Sequence, residues 1–166
     1  MEKELMEVKV MGIVVDPKAS NPVVVLVDLN GQKALPIWIG VFEAEAISRG
    51  IEDVVTLRPM THDLLKQILD TLHTSLTRVV INDIKENTFY AKLHFNVEGN
   101  ELIVDSRPSD AIALAVRVKA PIFITQSVVE ATKSLGLLAT RFLDEQDELK
   151  TIIENMNPDD FGDFKM

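Results

Sequence analysis

The sequence predicts an α+β fold of mixed or antiparallel sheets with helices, and three observations carry that expectation. Residues 8–40 and 77–106 are rich in Val, Ile and other strand formers and are punctuated by turn residues. Each block then gives way to a helix-forming segment, "VFEAEAISRGIED" or "SDAIALAVRV". Between the blocks, "THDLLKQILDTLHT" places Leu64, Leu65, Ile68, Leu69 and Leu72 on one face of a helix.

The elements follow in order. "VKVMGIVVDP" and "NPVVVLVDLNGQKALPIWIG" lack helical spacing and break at Asp16-Pro17, Asn21-Pro22 and Asn30-Gly31, which predicts three strands with a hairpin at Asn30-Gly31. The first helix runs from Val41 and has Gly50 near its end, as a terminating residue. The second follows the connector "VVTLRPM", with Thr61 as its natural cap. Three more strands fill residues 77–106, with turns at Glu86-Asn87 and Glu98-Gly99-Asn100. A third helix starts at Ser109, a short buried strand "PIFIT" follows, and "SVVEATKSLG" is helical.

A shift of 67 residues lays "EAEAI" on "DAIAL", "KALPIWIG" on "NELIVDSR" and "VVVLVDL" on "YAKLHFN". The element order matches throughout. This reads either as an internal duplication of a strand-strand-strand-helix unit, with a pseudo-twofold axis, or as a chance match of few identities.

With 166 residues, one domain over residues 1–140 is expected, followed by an acidic amphipathic helix and tail over 141–166. In that tail Leu149, Ile152, Ile153 and Met156 keep helical spacing, while eight acidic residues from Asp144 onward face only two lysines. The whole chain carries a net charge of −9, so no general basic surplus attracts nucleic acid; such a partner would need a local patch or a metal. The absence of Cys excludes disulfides, thiolate nucleophiles and Cys-ligated zinc. No apolar run approaches the roughly 18 residues of a membrane span, and the charged start is unlike a signal peptide, so a cytoplasmic protein without membrane contact is expected.

Walker, dinucleotide-fingerprint, HExxH and GxSxG motifs do not occur. Charged residues instead gather where helices open: Glu43 at the first, His62 and Asp63 at the second, and Asp105, Arg107 and Asp110 at the third. Helix N-termini accommodate anions. Asp63 and Asp110 are also explained as first-turn acids, each favourable by about 0.3–1 kcal/mol against the macrodipole, with Thr61 and Ser109 as caps. Arg58 and Arg107 are not, because a cation at a helix N-terminus opposes the dipole and needs a carboxylate or a bound anion such as phosphate. Both precede proline, in "LRPMTHD" and "SRPSD". Among the histidines His62 is the best candidate for a base or ligand, beside Asp63 at a helix start.

At "LPIWIGVFEAEAI", "RPMTHDLL", "FYAKL" and "DSRPSDAIALAVRVKAPIFI" the chain resembles the bifunctional nuclease family over residues 5–140. The tail departs by lacking the additional interaction motif of some relatives. The resemblance implies an α+β fold and a nuclease acting on RNA and single-stranded DNA. Its motifs fall on Glu43, Arg58, His62, Asp63, Asp105, Arg107 and Asp110. On that basis phosphodiester hydrolysis is expected, with Mg²⁺ or Mn²⁺ held by Glu43, Asp105 and Asp110. Glu43, His62, Asp63, Arg107 and Asp110 would serve catalysis, with Arg58 and Arg107 on phosphate. The alternative is a non-catalytic homo-oligomeric binding or regulatory protein with an anion site. In either case a homodimer is expected.

Overall fold

Twelve elements are ordered along the residues that the computed structural model describes, which are 4–16, 20–134 and the backbone of 139–140. They are β1 (Leu5–Val15), β2 (Pro22–Asp28), β3 (Lys33–Trp38), α1 (Val41–Ile51), α2 (Thr61–Thr71) and β4 (Ser75–Lys85). Then come β5 (Thr88–Val97), β6 (Asn100–Ser106), α3 (Pro108–Val118), β7 (Ile122–Thr125), α4 (Gln126–Ser134) and β8 (Ala139–Thr140). The expected α+β class is observed. The strands form one mixed sheet in the order β6-β5-β4-β7-β1-β2-β3-β8.

Two antiparallel meanders, β1-β2-β3 and β4-β5-β6, flank the short central β7, which runs antiparallel to β1 and parallel to β4. Each meander is followed by a helix, so the strand-strand-strand-helix order recurs as topology. Local chemistry sets the hairpins. Glu86 and Asn87 have φ of 47° and 59°, and Glu98 and Gly99 have 51° and 86°, the paired left-handed residues that match the twist of two-residue turns. In the first meander Asp28 Oδ1 accepts from the backbone N–H groups of Gln32 (2.7 Å) and Lys33 (2.8 Å), which closes the Asn30-Gly31 loop.

One aliphatic core joins the sheet to the helices that cover it. Val24, Leu26, Val79, Ile81 and Ala91 from the strands meet Ala44 and Ile47 of α1, Ala111, Ile112 and Ala115 of α3, and Val128 and Val129 of α4. The small side chains of α3 let α1 come close. At Gly50 that approach leaves no room for a side chain: a Cβ there would stand 2.5 Å from Val116 Cγ2 and 2.7 Å from Arg117 Nη1. Gly50→Ala is therefore expected to cost about 1–3 kcal/mol despite the better helix propensity of alanine, measurable as a lower urea midpoint.

Two expectations about helix starts are corrected. The N-cap of α2 is Met60 rather than Thr61, and the helix start is held by Asp63 Oδ2, which accepts from the Met60 N–H at 3.0 Å. The N-cap of α3 is Arg107 rather than Ser109, with Pro108 in the first turn, where a missing N–H costs nothing. Ser109 is buried.

α2 lies with its apolar stripe outward. Leu64, Leu65, Ile68 and Leu72 are exposed, whereas His62 is buried, Leu69 packs against the core and Asp63 turns inward to Arg117. An amphipathic surface helix ordinarily does the opposite. The expected acidic helix of 141–166 lies outside the described residues. Among those described, no helix is long and apolar enough to cross a membrane.

Candidate functional site

The first turns of α1, α2 and α3 meet at one cleft of about 340 Å³, lined among others by Phe42, Glu43, Met60, His62, Arg107 and Asp110. Glu43, His62 and Asp110 each lie in the opening turn of a different helix. Packing of α3 against both α1 and α2 brings them together. Three helix N-termini thus point their partial positive charge toward one place, a field suited to an anion.

The side chains form a continuous chain of contacts. His62 Nε2 lies 3.0 Å from Asp110 Oδ1; an ionised carboxylate only accepts, so Nε2 carries the proton and donates. Arg107 Nε donates to Asp110 Oδ2 at 2.7 Å and Arg107 Nη1 to Glu43 Oε1 at 3.1 Å. The sequence separations are 48 residues for His62 and Asp110 and 64 for Glu43 and Arg107. The cation that helix electrostatics left without a partner is thus held by two carboxylates. The other oxygen of Glu43, Oε2, is buried and accepts no hydrogen bond from the described residues. Such an acceptor is costly, and a donor entering the cleft would relieve it.

Asp110 ionises far below the usual carboxylate range. The hydrogen bond from His62 holds its pKa down to about 2, burial opposes this, and Arg107 adds to the lowering. A carboxyl more acidic when folded than when unfolded contributes stability that is complete above the unfolded value of about 3.9 and is lost as pH falls toward 2. Unfolding temperatures measured between pH 6 and 2 should therefore fall less steeply below pH 4 in Asp110→Asn than in the wild type.

Asp63 belongs to a second, adjoining pair. Its Oδ1 accepts from Arg117 Nε at 2.7 Å, which lowers its pKa against the effect of burial. Arg117 is nearly buried, and its Nη1 also donates to the carbonyls of Ala46 and Ala113, each at 2.8 Å. One guanidinium therefore ties α1, α2 and α3 together directly beneath the cleft. The sequence reading passed over Arg117. Its signal was a lone cation in the apolar run "AIALAVRV", seven residues after Asp110 and so on nearly the same helix face.

Two of the expected site residues lie elsewhere. Asp105 is on β6 opposite Lys92, while the next pair, Ser106 and Ala91, takes the core side. Alternation along the strand sends Asp105 to the far face of the sheet. There His94 Nδ1 lies 2.9 Å from Glu101 Oε1, remote from the helix starts. Arg58 is exposed on the connector and forms no ion pair among the described residues.

The donor set bears on the expected Mg²⁺ or Mn²⁺. Without Asp105, the carboxylates of Glu43 and Asp110 remain, and the Arg107 guanidinium bridges them where a shared cation would bind. Among the described residues no group of three His, Asp or Glu side chains is disposed to hold a metal ion. As arranged, these residues do not fit a resident divalent cation.

The Bifunctional nuclease domain profile matches residues 24–135. An uncharacterized protein of Mycobacterium tuberculosis is 39% identical over 165 residues, covering 93% of this chain and 97% of the relative. Bifunctional nuclease 2 of Oryza sativa subsp. japonica is 29% identical over 114 residues, 66% of this chain and 35% of that protein. Bifunctional nuclease 1 of Arabidopsis thaliana is 28% identical over 112 residues, 65% of this chain and 34% of that protein. The profile encloses all three helix starts and the Arg117 staple, and the chain belongs to the bifunctional nuclease domain family.

Proposed function

We propose that the protein is a nuclease that hydrolyses phosphodiester bonds of RNA and single-stranded DNA in the cleft between the starts of α1, α2 and α3. The observation that carries this reading is the linked set His62–Asp110–Arg107–Glu43, assembled from three helices within the family's domain. The similarity to plant proteins named bifunctional nucleases supports it.

The chemistry assigned to each residue follows from its contacts. With Nε2–H committed to Asp110, His62 has Nδ1 left to accept a proton. An attacking water gives that proton to Nδ1 as its oxygen bonds to phosphorus. The bond to the leaving ester oxygen breaks, and that oxygen takes a proton from solvent. Asp110 fixes the ring and stabilises the imidazolium, as the buried carboxylate does in hydrolytic triads. Arg107, half exposed, offsets the negative charge gathering on the phosphoryl oxygens, and the helix N-termini act in the same sense. Glu43 holds Arg107 in place, and Asp63 acts through Arg117 as a positioning residue.

The test is cleavage of single-stranded DNA and RNA by purified protein in chelator, Mg²⁺ and Mn²⁺, beside folded Arg107→Ala. Cleavage by the wild type and a loss of about 100-fold or more in the variant are expected. Undiminished cleavage in Arg107→Ala would place the chemistry elsewhere. Binding of oligonucleotides without cleavage under every condition would favour a non-catalytic anion-binding module.

A further inference from the structure

We infer that the sheet face turned away from the helices carries a second ligand site, and that it takes a phosphate monoester with a hydrogen-bond donor at its other end, the chemistry of a nucleoside monophosphate. A cavity of about 490 Å³ opens there, lined among others by Arg78, Val80, Asn82, Lys92, His94 and Thr125. Arg78, Val80 and Asn82 alternate along β4 with Val79 and Ile81, which enter the helix-covered core, so they point to the opposite side of the sheet. On β5, His94 stands across from Arg78 and Lys92 across from Val80. This cavity shares no lining residue with the cleft at the helix starts.

Two buried side-chain atoms of the cavity find no hydrogen-bond partner among the described residues, and they are of opposite kind: the donor Nε of Arg78 and the acceptor Oδ1 of Asn82. Buried polar groups are rarely left so, and a ligand with an acceptor at one end and a donor at the other would satisfy both. At the first end Arg78 Nη2 reaches Glu101 Oε1 only at 3.4 Å, while His94 Nδ1 donates to the same oxygen at 2.9 Å. The imidazole thus takes up most of that carboxylate, and the guanidinium is free to turn its Nε to an incoming acceptor. Lys92 stands alongside, exposed and in no ion pair among the described residues. Two cations suit a phosphate monoester, close to a dianion at neutral pH, better than a singly charged carboxylate.

The second end has the opposite character. Thr125 Oγ1 donates to the Asn82 carbonyl at 3.3 Å, and Glu4, just before the Leu5–Thr125 pair, borders the cavity. An amide oxygen beside a carboxylate repels an anion and favours an N–H or O–H donor. Arg78 and Asn82 are four residues apart on one strand, about 13 Å at the usual rise, so a ligand that serves both must have two ends and a comparable reach. Val80 lies between them as an apolar floor, and the volume is that of an ordinary small-molecule site. Binding here does not depend on the nuclease reading.

The experiment is isothermal titration calorimetry of the full chain with adenosine 5′-monophosphate, inorganic phosphate and adenosine, in the wild type and in Arg107→Ala, which disables phosphate binding in the nuclease cleft. In both, the nucleotide should bind at least about tenfold more tightly than phosphate or adenosine, the worth of one further hydrogen bond or charge contact. In the Arg107→Ala background, Asn82→Ala should weaken nucleotide binding about tenfold and leave phosphate binding unchanged, whereas Arg78→Gln should weaken both by about tenfold or more. Lys92→Gln, at an exposed position, should weaken both as well and keeps the test decisive if Arg78→Gln fails to fold. Absence of nucleotide binding at millimolar concentration overturns the inference, as does binding that Arg78→Gln and Lys92→Gln leave intact. Binding lost in Arg107→Ala places the nucleotide in the nuclease cleft and overturns the second site. Phosphate that binds as tightly as the nucleotide, or an Asn82→Ala that loses nothing, overturns the two-ended ligand. If the nucleotide binds as stated and no form cleaves nucleic acid, only the nuclease reading fails.

Discussion

His62→Ala and Asp110→Asn are each expected to lower single-stranded nucleic-acid cleavage by about 10²- to 10⁴-fold, the range a positioned general base contributes. The two losses should be similar and should not add. Asp110 acts on the reaction through the ring it orients, so removing it after His62 is gone takes away little more. Asp110→Asn is the more informative change because it keeps the side-chain shape and the Arg107 neighbourhood. An Asn can present its amide N–H to Nε2, which favours the tautomer with the proton on Nδ1 and removes the acceptor the mechanism needs. Rates fitted from gel-resolved cleavage time courses with double-mutant analysis decide the matter. Wild-type rates in folded His62→Ala would end the general-base assignment, and additive losses would separate the two residues into different roles.

Arg117→Met is expected to destabilise the fold by about 2–4 kcal/mol, near the lower part of the cost of breaking a buried ion pair, because Asp63 retains some contact with water. For a chain of this length that corresponds to a fall of about 5–10 °C in Tm. Methionine fills the space of the side-chain stem but leaves Asp63 without its guanidinium and removes the tie from α3 to the Ala46 carbonyl. Arg117→Lys should recover only part of the loss, since an ammonium lacks the planar fork that serves three acceptors at once. Thermal and urea unfolding measure both. Wild-type stability in Arg117→Met would mean that the three helices are held by apolar packing alone.

These two outcomes depend on features of unequal visibility in the chain. Glu43, His62, Asp63, Arg107 and Asp110 could be singled out because charge at a helix start is a local signal, readable within one turn. The demand of Arg107 for an anionic partner could also be read, since it follows from the dipole of its own helix. The partner could not. Glu43 is 64 residues away, and only the packing of α1 on α3 sets their distance. Asp105 lies apart for a different reason: it is two residues before Arg107 and close to the helix start in sequence, but it lies within β6, where side chains alternate and the register with Lys92 sends it to the other face. Thr61 and Ser109 were the obvious caps by residue type. Met60 and Arg107 took those positions because each helix starts one or two residues earlier than the capping preference implies.

The sequence by itself determined the α+β class and the hairpin turns, and it singled out Glu43, His62, Arg107 and Asp110 among the residues that line the cleft, because alternation, helical spacing, turn chemistry and charge at a helix start act over a few residues. Only the tertiary structure decided that Arg107 bridges Glu43 and Asp110, that Arg117 staples three helices, and that the leucine stripe of α2 faces outward. Each of those outcomes depends on contacts between elements far apart in the chain, and the orientation of α2 is fixed by two polar contacts that outweigh its amphipathic pattern.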